Sequence, residues 1–436
     1  MTLIRILKNE ETISGDMLLR SFHKTRSEAR RRQGASASQR SQQNMVLKQP
    51  MPASQNAIFS DPQARYPMDY ILLWLVLLLT LIGLISILSA SAHVAQAQIG
   101  DASFYFKKQL VGICIGLVGL LLALRINVYH LPLWVKPLMA VTIILLIFTH
   151  IPGLGLTING SSRWLDMPGF RLQPSEIAKP VLILYLATIL GNHQFSHLSL
   201  KDKGFTLLPI IAIMALILRQ PDLGTTIVLG LTMMVVYFAA GTPYWKILGV
   251  IGSGLLAFGL LSWSTPYQQA RITSWLDPWS DPQGSGFHLI QSLIAIGSGG
   301  AVGTGFGQSV QKLFYLPEQH TDFIFAVIAE EFGFVGICVL LLIFMGLTQR
   351  GVTIACKSPT PYLKLLAIGL ACMISLQAFV NMAVVSGAIP TTGLTLPFIS
   401  YGSSSVAVNL TAMGLLLNIS RYFPNKQAAT PTRKTT

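Results

Sequence analysis

The chain has 436 residues, 52% of them hydrophobic and 11% charged, with a net charge of +14 and a mean hydropathy of +0.57. That apolar share excludes an ordinary soluble domain and predicts a polytopic membrane protein. The basic residues gather in the tails and short connections, not in a separate domain, so nucleic acid is excluded as a partner. Cys114, Cys338, Cys356 and Cys372 lie in or beside apolar spans without paired short spacing, which speaks against a disulfide framework or a zinc site.

Residues 1–68 are expected to form a cytoplasmic, disordered basic tail. The tail carries Arg26, Arg30, Arg31 and Arg32, lacks a signal-peptide pattern, and opens with a short amphipathic stretch suited to a membrane surface or a partner. Hydropathy then predicts an all-α domain, 69–421, with ten transmembrane helices near 69–91, 109–124, 132–150, 174–191, 205–219, 223–240, 244–262, 321–348, 363–387 and 397–420. The fifth and sixth flank Pro221 and Asp222, which force either a tight turn or a kink. Residues 422–436 form a second cytoplasmic tail.

Cytoplasmic termini place about 23 of the 31 Lys and Arg inside, the sense of the positive-inside rule. Two sizeable outer loops result, 151–173 and, between helices 7 and 8, 263–320. The first carries Arg163 and is punctuated as turns by Gly and Pro; it leads into Pro174 at a helix start, with Glu176 and Lys179 three apart on one helical face. That pair serves either as an internal strut or as a site lining.

In the second outer loop, Trp275 and Trp279 beside Pro278 and Pro282 predict an interfacial surface. HLIQSLIAI is too short to cross and reads as an interfacial or re-entrant helix. Gly303, Gly305 and Gly307 suggest a nucleotide loop only superficially. No strand precedes them, and close backbone packing accounts for them better. His193 and His197 read as solvated loop residues rather than metal ligands.

Asp322, Glu330 and Glu331 stand against or inside an apolar run, where a carboxylate is by default functional. Thr321 is expected to cap the helix, with Asp322 in the first turn, where free N–H groups favour the charged form. Glu330 and Glu331 read as paired struts or site lining, and Asp222 likewise.

Seven ordered motifs then carry a resemblance: RWL at Arg163, QPSEIAK at Gln173, RQPDLG at Arg219, LDPWSDPQGSG at Leu276, the glycine turn through Gly307, LPEQHTDFIF at Leu316, and NMAVVSGAIPTTGLTLPFISYGSSS at Asn381. Over most of 69–421 the chain resembles the SEDS (shape, elongation, division and sporulation) proteins of bacterial cell-wall synthesis, and within them the division type. It departs where the family reads SYGGSS and this chain has Ser403. If that position needs positive φ, the turn is strained or altered.

The resemblance implies a peptidoglycan glycosyltransferase that polymerises lipid II at the division septum of the bacterial cytoplasmic membrane. Its implied partners are a class B penicillin-binding protein, other division-complex membrane proteins and membrane lipid; its implied cofactor is a divalent metal ion, Mg or Mn, with unassigned ligands. Asp322 is the expected base for the acceptor hydroxyl. Arg163, Glu176, Lys179, Arg271, Lys312, Glu318, His320 and Ser400 are candidate substrate or pyrophosphate contacts, and Pro390 a site-lining residue. A single displacement inverts the anomeric centre and needs no second carboxylate nucleophile. The alternatives are a lipid II flippase, for which no internal repeat is found, and a non-catalytic division scaffold.

Overall fold

The computed structural model describes residues 67–158, 161–167, 170–192, 199–246, a few positions between 248 and 254, 266–312 and 319–422, all within the unit Asp61–Thr436. The tails, the histidines 193 and 197, and Glu318 lie outside the described residues.

Eleven α-helices are assigned among the described residues: α1 Tyr70–Ile99, α2 Phe104–Arg125, α3 Leu131–Phe148, α4 Pro174–Leu190, α5 Leu200–Arg219, α6 Leu223–Ala239, α7 Pro266–Leu276, α8 Phe287–Ser298, α9 Ile324–Lys357, α10 Pro361–Val385 and α11 Ser403–Ile419. Local chemistry sets many of their ends. Asp69, Ser199, Asp222 and Thr360 accept backbone N–H bonds as N-caps, Pro174 and Pro361 open α4 and α10, and Gly100 closes α1 at φ 81°. Between α1 and α2, bonds from the Ser103 and Lys107 side chains and the Ser103 backbone hold the Asp101 carboxyl down at about 2.

Nine of the ten expected spans coincide with a described helix, while 244–262 lies largely outside the described residues. By length and composition α1, α2, α3, α9 and α10 are each able to cross a membrane. Of its most apolar window, α10 buries 72% and α3 only 28%, so α10 is the central helix and α3 a peripheral one. Trp74, Leu121, Leu133 and Leu342 stand exposed on α1, α2, α3 and α9, as lipid-facing side chains do. Pro221 and Asp222 make a tight turn between α5 and α6.

The helical architecture holds, with one addition. The loop 151–173, read as turns, contains a three-stranded antiparallel meander, β1 Gly155–Ile158, β2 Ser161–Met167 and β3 Phe170–Leu172, paired in that order with Leu156 opposite Trp164 and Leu165 opposite Leu172. Along β2 the side chains of Ser161, Arg163 and Leu165 alternate inward. Arg163 is thereby presented from a strand rather than from a flexible loop.

At the end of the bundle opposite this sheet, Asp69 ties three helices. Its carboxylate receives both Nε and Nη2 of Arg350 from α9, and its backbone N–H donates to Ser420 Oγ just beyond α11. Nearby, Asn418 donates to the carbonyls of Ala123 and Ile126, closing α2 against α11.

The helix α9 is broken at Gly333, whose φ of 63° and ψ of −162° are non-helical. The ladder bonds lost there are exchanged with the glycine-rich segment after α8: Thr304 and Gly305 donate to the carbonyls of Glu330 and Glu331, while Phe334 and Val335 donate to those of Gly300 and Ala301. A Cβ on Gly333 would lie 2.3 Å from Gly303 N, and one on Gly303 2.1 Å from Glu331 O. Close backbone packing is thus the role of Gly303 and Gly333, but not of Gly305 or Gly307, where a Cβ would meet no backbone.

Gly333→Ala is therefore expected to destabilise the chain by at least about 2 kcal/mol, from the positive φ and the overlap together. Gly346→Ala, whose nearest contact would be an ordinary 3.5 Å to Leu75 in an unbroken part of the same helix, should be neutral or gain up to about 1 kcal/mol. Unfolding of both variants in detergent reads the difference, and equal midpoints would contradict it.

Candidate functional site

Between α10 and α11 the chain runs through residues 386–402 without regular structure, and most of 392–400 is buried. Buried irregular backbone needs partners for its polar groups. Side-chain amides supply many of them. Gln377 and Asn381 stand one turn apart on α10; Gln377 Nε2 donates to Thr395 O at 2.9 Å, and Asn381 Nδ2 to Leu394 O at 2.6 Å. On α2, Gln109 donates to Ser400 O at 3.3 Å and accepts from Gly402 N at 3.0 Å. From α7, Arg271 Nη1 reaches Thr391 O at 3.0 Å and Trp275 Nε1 reaches Gly387 O at 2.9 Å.

Several expected site residues belong to this scaffold. Ser400 is buried, and its hydroxyl accepts the Leu396 N–H at 2.7 Å, closing the turn that carries Phe398. Phe398 itself has φ 66°, a left-handed conformation that costs about 1–3 kcal/mol for such a side chain, and its carbonyl packs where Gly83 of α1 has no Cβ. Pro390 lies half-buried at the rim of the segment. Ser403 does not strain the turn: it is the first residue of α11, packs on Gly112 and donates to Lys108 O at 2.9 Å.

Asp322 lies two residues before α9, half-buried, and is not in the helix's first turn; the N-cap is Phe323, without a side-chain capping bond, so the expected Thr321 cap is corrected. The turn is held from outside instead. Asn381 Nδ2 donates to Asp322 O at 2.8 Å, and Tyr401 N donates to His320 O at 2.8 Å. The His320 ring packs on Tyr105 and Tyr401, with centroids 4.3 and 5.6 Å away.

Gly393, at φ 74°, brings the two halves of the site together. The position its Cβ would occupy lies 3.6 Å from Asp322 Oδ2 and 3.8 Å from Arg163 Nη1. Arg163 in turn is steered by the α5–α6 turn, donating to Gln220 O at 3.3 Å and Pro221 O at 2.6 Å, with Nη1 3.8 Å from Asp222 Oδ1. Asp222 also caps Thr225, through both its N–H and its hydroxyl. An acid and a guanidinium therefore flank one open point.

Other candidates are engaged with protein partners. Lys179 Nζ is buried against Glu176 at 2.8 Å and donates to Gln377 Oε1 at 2.6 Å, so the pair acts on 386–402 through Gln377. Lys312 pairs with Glu331 at 3.0 Å, and Glu330 accepts from Ser309, Val310 and Gln311. Among the described residues no three His, Cys, Asp or Glu side chains converge as metal ligands. The described residues therefore offer no all-protein cage for the divalent ion expected above. Gly393, Asn381, Gln377 and Gln109 were not singled out from the sequence, although amides one turn apart in an apolar span are themselves a signal.

A family model covering the FtsW, RodA and SpoVE proteins, described as cell cycle protein, matches residues 70–425. The chain belongs to the FtsW/RodA/SpoVE family. Family members similar to it include stage V sporulation protein E of Bacillus subtilis strain 168, 44% identical over 360 residues, with 81% of this chain and 97% of the relative covered. A probable peptidoglycan glycosyltransferase FtsW of Trichlorobacter lovleyi is 41% identical over 357 residues, covering 81% and 93%. Among solved structures, a chain of a peptidoglycan synthase complex that coordinates polymerization and crosslinking superposes with a TM-score of 0.67 at 32% identity, covering 81% and 98%. Rod shape determining protein RodA of Thermus thermophilus gives 0.61 at 28% identity, covering 82% and 98%.

For this FtsW/RodA/SpoVE chain, the buried pair of α4 makes a direct prediction. Glu176→Gln and Lys179→Met each leave one charge unpaired in the interior and are expected to cost about 3–5 kcal/mol. The double variant should lose less than the two added together. Denaturant unfolding of the three purified variants tests this, and additive losses would show that the charges do not act as a pair.

Proposed function

We propose that the chain is a peptidoglycan glycosyltransferase that polymerises lipid II, with Asp322 as the base that activates the acceptor sugar hydroxyl. The names of its relatives support the activity. The observation that carries the site is the meeting of the Asp322 carboxylate and the Arg163 guanidinium at the point Gly393 leaves open.

Acceptor oxygen attacks the anomeric carbon of the lipid-linked donor as its proton passes to Asp322 Oδ. The new C–O bond forms while the bond from that carbon to the pyrophosphate oxygen breaks, and polyprenyl pyrophosphate leaves with both electrons. The configuration inverts in this one displacement. Arg163 is the cation best placed to meet the developing negative charge: its Nη1 lies 3.8 Å from the Gly393 Cβ position, and its own ion pair, 3.8 Å to Asp222 Oδ1, is looser than the 2.8 and 3.0 Å pairs of Lys179 and Lys312. No step is routed through a metal ion.

The setting is the bacterial cytoplasmic membrane at the division septum, with both termini cytoplasmic and the sheet-bearing end outside. A class B penicillin-binding protein is the crosslinking partner, a reading supported by the superposition on a synthase complex that couples polymerization to crosslinking.

Lipid II polymerisation by the purified chain with its transpeptidase partner tests the reading. Wild type should make glycan strands, and Asp322→Asn none, while remaining monodisperse; strands from the variant at the normal rate would remove Asp322 as base. Gly393→Ala places a methyl between acid and guanidinium at positive φ. It should lower kcat by about tenfold or more, with only about 1 kcal/mol lost in stability. Normal turnover by that variant would show that the open point is not where reaction occurs.

A further inference from the structure

The break at Gly333 leaves the first part of α9, residues 324–332, without helical continuity to the rest of the span. Phe334 N and Val335 N, which would have bonded Glu330 O and Glu331 O in an unbroken helix, bond Gly300 O and Ala301 O instead. The short half-helix is preceded directly by the Asp322 turn, so whatever orients the half-helix also sets the carboxylate.

Two side chains at its far end do this. Glu330 accepts from the Ser309 hydroxyl and from the N–H groups of Val310, at 2.9 Å, and Gln311, at 3.4 Å. Glu331 Oε1 accepts from Lys312 Nζ at 3.0 Å and from Ser89 Oγ of α1 at 2.7 Å, and Lys312 also donates to Ser89 Oγ at 3.1 Å. Beyond residues 313–318, Gln319 Nε2 donates to Ala90 O at 2.8 Å. Lys312 and Gln319, the latter three residues before the acid, are thus tied to the same turn of α1.

The Lys312 and Glu331 side chains are 4% and 2% exposed. An ammonium so enclosed does not meet a substrate phosphate, and breaking such a pair leaves a costly lone charge.

We propose that Lys312, Glu331 and Glu330, with Ser89 of α1, are positioning residues for Asp322. They fix the half-helix 324–332 against α1 and the segment 299–312, so that the acid is held at the open point beside Gly393. The role expected of Lys312 as a pyrophosphate contact is replaced by this one. The inference rests on Asp322 being the base.

Steady-state lipid II polymerisation by the full chain with its transpeptidase partner separates the two roles. Lys312→Met should lower kcat by about tenfold or more with KM for lipid II within about twofold, and Lys312→Arg should restore most of the loss. Ser89→Ala removes one hydroxyl and no charge; it serves even where Lys312→Met does not fold, and should lower kcat several-fold at unchanged KM. A raised KM with kcat retained in either variant, or unchanged constants in either, would overturn the proposal. Asp322→Asn in the same assay keeps the readings apart: an inactive Asp322→Asn beside a fully active Ser89→Ala removes only the positioning role, whereas an active Asp322→Asn removes the base.

Discussion

One side-chain amide, that of Asn381, joins the two stretches of chain on which the site depends. Its Nδ2 donates both protons, to the carbonyl of Asp322 and to that of Leu394. The first belongs to the turn before α9 and the second to the irregular segment between α10 and α11, and neither stretch has regular secondary structure to hold it. Asn381 stands on α10, the most enclosed of the long apolar helices, so the connection is anchored in the rigid centre of the molecule. Gln377, one turn earlier, repeats the device at Thr395 and passes its own carbonyl oxygen to Lys179.

The same requirement shapes the rest of the sheet-bearing end. Inside a bundle covered by lipid, each backbone group that leaves a helix must find a donor or acceptor in the protein. Residues 386–402 find theirs on α2, α7 and α10. The break in α9 finds its own in 300–305, by an exchange of backbone bonds that only glycines allow, because any Cβ at 303 or 333 would collide with backbone. Of the glycines that invite comparison with a phosphate loop, Gly303 and Gly305 take part in this crossing, whereas a Cβ on Gly307 would meet nothing within 4 Å.

Charge is distributed by the same logic. Lys179 with Glu176, and Lys312 with Glu331, are closed pairs deep in the structure, where desolvation makes an unpartnered ion too costly. Arg163 is different. The carbonyls of Gln220 and Pro221 aim it from the turn between α5 and α6, its ion pair with Asp222 is a looser 3.8 Å, and its Nη1 lies 3.8 Å and Asp322 Oδ2 3.6 Å from the Gly393 Cβ position. The sheet, the α5–α6 turn, the segment 386–402 and the turn before α9 therefore each contribute one part of a candidate site to which no single motif corresponds.

Hydropathy in the sequence determined the helical spans, because a bilayer imposes a length and a polarity that can be counted along the chain, and the acids in or beside apolar runs marked Asp322, Glu330 and Glu331 as candidates. The pairing of Glu176 with Lys179 was legible for the same reason: a three-residue spacing on a helix is a distance. The sheet at 155–172 carries only a weak local signal, the hairpin dipeptide Asn159-Gly160, because Gly and Pro elsewhere in the loop fit isolated turns equally well. Only the tertiary structure decided that α9 begins after Asp322 and breaks at Gly333, that Lys312 pairs with Glu331, and that Gly393 leaves out the Cβ that would lie between Asp322 and Arg163. These depend on segments distant in sequence meeting backbone to backbone, and a local pattern does not encode which distant carbonyl will lie within reach.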